Sequence, residues 1–228
     1  MSWPGVEIGA DLTASLIVTE CAEDDITCSS ASLWTGILAD FVVANPDFDP
    51  STLSTEEFSH LLAKSATMWR SKLGAANPRL HFFQEAGGNL VIWHGMADTT
   101  IPPKGTEKYF NDVLKHNDNV LDLFRYFEVP GIGHGSGGRG PLPNDALKQL
   151  MAWVENKTAP LALEASLAKT GLHRPLCPYP SRQIYLGGDV NETASFACVP
   201  RIYKREFSAG LSFVADRSVR RACSRMES

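Results

Sequence analysis

Two short apolar runs, "NLVIWHG" at residues 89–95 and "LDLFRYFEV" at residues 121–129, constrain the fold more than anything else in the chain. The first is flanked by Gly and has no polar alternation, as expected of a strand buried on both faces of a parallel sheet. The second is rich in aromatic residues. Residues 105–116, "GTEKYFNDVLKH", read as the helix between them. Another helix follows over 144–156, with Ala146, Leu147, Leu150, Met151 and Val154 on one face. Strand, helix, strand, helix is the pattern of an α/β fold with a parallel sheet and right-handed crossovers. Only two strands stand out, so the sheet is expected to be incomplete, one end of a larger one.

Upstream, Leu33, Ile37, Leu38, Phe41 and Val42 fall at helical spacing and predict a helix over 31–44, broken by "NPDFDP". Ser54 and Glu57 form a capping box, from which a helix runs toward Leu73. "NPRLHFFQEAGG" predicts a short helix stopped by Gly87 and Gly88.

In open α/β sheets, functional groups collect at the carboxyl ends of the strands. Asp98, in "VIWHGMADTTIPP", stands there after the first strand, and His134, in "VPGIGHGSGGRGP", after the second. Asp98 alone could be a turn residue in "ADTT", and His134 alone a glycine-loop residue. Together, at two strand ends and separated by one helix, they have the order of the Asp and His of a Ser-His-Asp triad. In such a triad the Asp accepts the imidazole Nδ1–H and the other ring nitrogen takes the serine proton.

The strained G-x-S-x-G turn that should precede the Asp does not occur in residues 1–97. Ser136 lies only two residues from His134 on the same loop, with no strand-turn-helix context, and does not fit the role. His94 and Trp93 read as packing or loop residues.

The remaining features set limits. With 43% hydrophobic and 21% charged residues, the chain suits a soluble globular protein. It has no apolar run of membrane-spanning length, and its opening lacks the pattern of a signal peptide. The net charge of −5 gives no reason to expect nucleic acid. Residues 199–228 carry seven Arg and Lys against three acids, so they read as a separate, basic, disordered tail. Two glycosylation sequons, at Asn156 and Asn191, lean toward a secreted origin. The five Cys show no C-x-x-C spacing, so no metal or cofactor is expected. Cys177 and Cys198 bracket a Pro- and Gly-rich stretch that a disulfide would hold where a core cannot.

"GGNLVIWHGMADTTIPP", "LFRYFEVPGIGHGSGGRGP", "MAWVENKTAP" and "RPLCPYPSRQIYLGGD…ASFAC" together resemble the carboxyl-terminal part of the tannase and feruloyl esterase family. "WPGVEIGADL" and "FVVANPDFDPSTL" are similar to segments that follow the family's lid domain. The resemblance covers about residues 3–198. It implies a partial α/β-hydrolase domain over 1–198 and a secreted serine carboxylesterase that cleaves small aromatic esters, feruloyl or galloyl. It implies that Asp98 and His134 are the triad Asp and His and that Cys177 pairs with Cys198.

The departures are as definite. The family nucleophile lies in a C-S-x-G-G segment that these residues do not contain, and the lid's calcium-binding Asp cluster is missing too. The Cys that normally follows the catalytic His, and bonds to the Cys beside the nucleophile, is here Gly135. Cys21 and Cys28 have no family counterpart. The chain alone is therefore expected to be inactive, and the alternative reading is a non-catalytic fragment serving as a binding or decoy protein. A prolyl-peptidase-like hydrolase also ends with Asp and then His, but "RPLCPYP" argues against it.

Overall fold

The structure is a computed structural model and describes residues 4–12, 17–21, 28–32 and 34–201. Most of the expected basic tail lies outside the described residues.

The chain opens with an antiparallel hairpin, β1 (Ile17–Cys21) and β2 (Cys28–Ser32), whose register sets Cys21 opposite Cys28. The helix expected over 31–44 is shorter and changes character. It runs as α1 (Trp34–Leu38) into a wider π-helical turn, Ala39–Val43, ended by Ala44 at φ 60°. The long helix α2 (Thr55–Leu73) starts at the expected capping box, with both the Ser54 and the Glu57 side chains bonded to each other's backbone N–H. It docks on the π turn through Trp69, whose Nε1–H donates to the Phe41 carbonyl at 3.0 Å.

The core lies around one βαβ unit. A short helix, α3 (His81–Glu85), leads into β3 (Leu90–Gly95). Helix α4 (Pro103–His116) crosses to β4 (Phe124–Val129), and β3 and β4 pair in parallel, with Leu90 opposite Phe124 and Gly95 opposite Val129. Side chains alternate across the pair. Leu90, Ile92, Phe124 and Tyr126 face α4, where Phe110 and Val113 complete one cluster. Phe110 meets Phe124 edge-on at 4.9 Å between ring centroids, a favoured aromatic geometry. Val91, Trp93, Phe127 and Val129 face the other way, onto Ile132, Leu163, Ala165 and Leu176.

Helix α5 (Ala146–Asn156) follows. Its buried residue is Trp153, and Ala146 packs against the second cluster, whereas Leu147, Met151 and Val154 are exposed. Three of the five residues of the apolar face read from the sequence thus point outward, while Ala146 and Leu150 are half-buried beside the buried Trp153.

The remaining strands carry no clear signal in the sequence. β5 (Leu142–Pro143), β6 (Leu163–Leu167) and β7 (Leu172–Leu176) form an antiparallel sheet, and β8 (Arg182–Tyr185) pairs with β9 (Phe196–Val199). A Cys177–Cys198 disulfide joins the end of β7 to β9. Just past it, Pro178 bridges to Phe127, and the Tyr179 amide donates to the Tyr126 carbonyl at 2.7 Å. The cross-linked segment therefore pairs with the free edge of β4, covering backbone groups that an edge strand would otherwise leave open.

Candidate active site

Both expected residues sit just past the carboxyl ends of β3 and β4, on two loops that touch. The Met96 amide donates to the Val129 carbonyl at 2.9 Å, and the Ala97 amide donates to the Ile132 carbonyl at 2.9 Å. The approach is close because residue 95 has no side chain. A β-carbon there would lie 2.3 Å from the Ile132 oxygen and 2.4 Å from that of Gly133.

The loop after β4 doubles back on itself. Ile132 bridges to Gly138, and the amides of Arg139 and Gly140 both donate to the Gly131 carbonyl. Gly138, at φ +88°, is needed, since a β-carbon there would stand 2.1 Å from the Gly131 oxygen. His134 rides at the tip of this small ribbon with its side chain 61% exposed. Ser136 is exposed on the same tip, and among the described residues no hydrogen bond joins it to His134.

Asp98 is 2% exposed and has four donors. Oδ1 accepts from the amides of Thr100 at 2.8 Å and Ile101 at 2.9 Å. Oδ2 lies 3.0 Å from His134 Nδ1 and 3.2 Å from His94 Nε2. The turn role and the role toward His134 are therefore both filled by one side chain, one oxygen for each. Burial pushes the Asp98 carboxyl up, but the Ile101 amide, His134 and the Thr100 amide together outweigh it and hold it below the usual aspartate value.

The structure brings together the two residues expected from the sequence, 36 positions apart. It adds His94, which reads from the sequence as a packing residue. Its side chain is 12% exposed, and its Nδ1 lies 2.8 Å from Thr106 Oγ1 on α4. The i,i+4 spacing of His94 and Asp98 across a Gly is the trace of this contact in the sequence. Among the described residues, no three His, Cys, Asp or Glu side chains converge so as to hold a metal ion.

A carboxylate that accepts Nδ1–H selects one tautomer of the neutral imidazole, the one whose Nε2 keeps its lone pair. The His134 side chain is 61% exposed, so the pair can take a proton from a group presented on the open side.

An Asp and a His on adjoining loops at the carboxyl end of parallel strands, with this topology, mark part of an α/β-hydrolase fold. Solved structures bear this out. A tannin acyl hydrolase from Aspergillus niger superposes with a TM-score of 0.67 at 24% identity, over 80% of this chain and 36% of that one. Feruloyl esterase B from Aspergillus oryzae gives 0.63 at 22% identity, over 73% and 36%.

The chain belongs to the tannase and feruloyl esterase family, whose model matches residues 19–199. It is 35% identical over 169 residues to a probable feruloyl esterase of Arthroderma benhamiae, covering 69% of this chain and 31% of the relative. It is also 35% identical over 159 residues to a mono(2-hydroxyethyl) terephthalate hydrolase of Piscinibacter sakaiensis, covering 67% and 26%. The chain thus spans about a third of the length of such relatives. Among the described residues, no helix is long and apolar enough to cross a membrane.

Proposed function

We propose that Asp98 and His134 are the acid–base arm of a serine carboxylesterase acting on small aromatic esters, of feruloyl or galloyl type, in a secreted protein. The observation that carries this reading is the 3.0 Å contact between His134 Nδ1 and the buried Asp98 Oδ2, with the rest of the imidazole open to solvent. The names of the relatives support the substrate class, since both feruloyl and hydroxyethyl terephthalate esters present an aromatic acyl group.

On this reading His134 Nε2 takes the proton of a serine hydroxyl as its oxygen attacks the ester carbonyl. The proton then passes to the departing alcohol. In the second half, Nε2 deprotonates the water that releases the aromatic acid. Asp98 stays ionised and stabilises the imidazolium in each half. The serine comes from a C-S-x-G-G segment of the family type, since residues 1–97 hold no G-x-S-x-G. The amide after that serine would supply part of the oxyanion hole, so residues 1–228 alone are expected to turn over no ester. Residues 1–198 then form a partial hydrolase domain, with 199–228 a basic appendage.

The test is turnover of methyl ferulate, methyl gallate and a nitrophenyl acetate. The assay compares the 228-residue chain with the same chain joined to the family's upstream segment. Turnover is expected from the joined protein only, and should vanish in His134→Ala. Activity that survives His134→Ala, or fluorophosphonate labelling of a serine within residues 1–228, would overturn the reading.

A further inference from the structure

His94 is engaged at both ring nitrogens. Nε2 faces Asp98 Oδ2 at 3.2 Å and the Ile101 carbonyl oxygen at 2.9 Å, and Nδ1 faces Thr106 Oγ1 at 2.8 Å. The position of one ring hydrogen follows by elimination. A carboxylate and a carbonyl only accept, so Nε2 bears a hydrogen, which the two oxygens share. In the neutral ring Nδ1 is then an acceptor, and the Thr106 hydroxyl donates to it.

We propose that His94 is a positioning residue for the ester hydrolysis described above. Its imidazole, oriented with Nε2–H toward Ile101 and Asp98 and with Nδ1 toward Thr106, holds the Asp98 carboxylate in the orientation presenting Oδ2 to His134. The inference rests on the triad reading of Asp98 and His134.

Three physical points carry it. The two amides on Asp98 converge on Oδ1. They fix that oxygen, and with it the last torsion, whose well is otherwise broad. A second anchored donor on Oδ2, beside His134, restrains the other oxygen as well. Secondly, the ring is held at both ends, since Nε2 also faces the Ile101 carbonyl at 2.9 Å and Nδ1 faces Thr106 Oγ1 at 2.8 Å, so its direction is set independently of Asp98. Thirdly, the donor is itself anchored. His94 lies in β3 opposite Glu128, and Thr106 lies in the first turns of α4. The crossover that closes the βαβ unit therefore also closes the polar chain Thr106–His94–Asp98–His134.

The experiment is nitrogen-15 NMR of the histidine-labelled 228-residue chain at neutral pH, with ring tautomers read from the nitrogen–proton couplings. His94 is expected as the Nε2–H tautomer, and His134 Nδ1–H as a downfield, hydrogen-bonded proton. In His94→Ala that proton should move upfield and exchange with water about tenfold faster or more, the scale of one lost hydrogen bond to a charged group. His94→Gln places an amide donor at a similar reach and should restore most of the wild-type signal, which mere filling of space would not. The Nδ1–H tautomer at His94 overturns the proposal, and so does an unchanged His134 proton in folded His94→Ala. If the Ala variant fails to fold, the wild-type tautomer and the Gln variant decide. The readout needs no turnover. Failure of the ester assay with the expected NMR result therefore counts against the esterase reading alone.

Discussion

The missing side chain of Gly95 and the carbonyl of Ile132 occupy one space. A β-carbon at residue 95 would stand 2.3 Å from that oxygen, and both atoms that would collide with it most closely are backbone. Relief requires the two loops to part. Gly95→Ala is therefore expected to cost about 1–3 kcal/mol, the range of overpacked core positions, and to break the Asp98–His134 contact. Urea unfolding together with the His134 Nδ1–H resonance checks both. A variant as stable as wild type with that resonance intact contradicts the argument.

Asp98 should make stability depend on acid in one direction. Its folded pKa lies below the ordinary value, so in acid the unfolded chain binds more protons than the folded one. The stabilisation is complete above the unfolded value, about 3.9, and is lost as pH falls through the lower folded value. The gap in unfolding free energy between wild type and Asp98→Asn should shrink steadily as pH falls below about 5. A gap that stays constant or widens on acidification would falsify this assignment.

If the proposed triad holds, then in the chain joined to the family's upstream segment Asp98→Asn should lower ester turnover by about 10⁴-fold, as expected where an amide leaves the histidine in the wrong tautomer. The loss should appear in kcat with KM little altered. Parallel steady-state assays on the two proteins measure it, and a loss below tenfold would remove Asp98 from the triad.

The Cys177–Cys198 bond should stabilise the fold by about 2–5 kcal/mol. Its loss should loosen one place in particular, the pairing of Pro178 and Tyr179 with β4. Hydrogen exchange of the Tyr179 amide in the double Cys→Ser variant reports this. Protection equal to wild type would mean that the strand edge is held without the crosslink.

The hairpin register sets Cys21 and Cys28 directly opposite each other. Opposed residues in an antiparallel pair are about 4.5–5.5 Å apart at Cα, within the span a disulfide bridges. Non-reducing peptide mapping of oxidised protein is expected to recover the two peptides joined, and recovery of both as free thiols ends the idea.

What the sequence discloses follows from range. The β3–α4–β4 unit was legible because a short all-apolar strand, a helix and an aromatic strand follow one another, and Asp98 and His134 come with it as strand-end residues. β7, "LHRPL", mixes charge and proline with its apolar ends, because its partners are one hairpin neighbour and a crosslinked segment. No period marks it. α5 misleads for another reason. Its apolar residues form a stripe, yet three of the five are exposed while Trp153, outside the stripe, is buried. His94 was missed because its role depends on a carbonyl seven residues on and a hydroxyl twelve residues on, neither of which spacing reveals.

The six-residue register between β3 and β4 has a consequence for how the chain assembles. A slip of two positions, the smallest that keeps each strand's faces, would displace one loop against the other by about 6.6 Å. His134 would then be out of reach of Asp98. The imidazole proton between them thus works as an internal checksum. It can exist only in molecules that have joined two strands across a helix in the one correct alignment. Followed in time during refolding, its appearance would date that pairing.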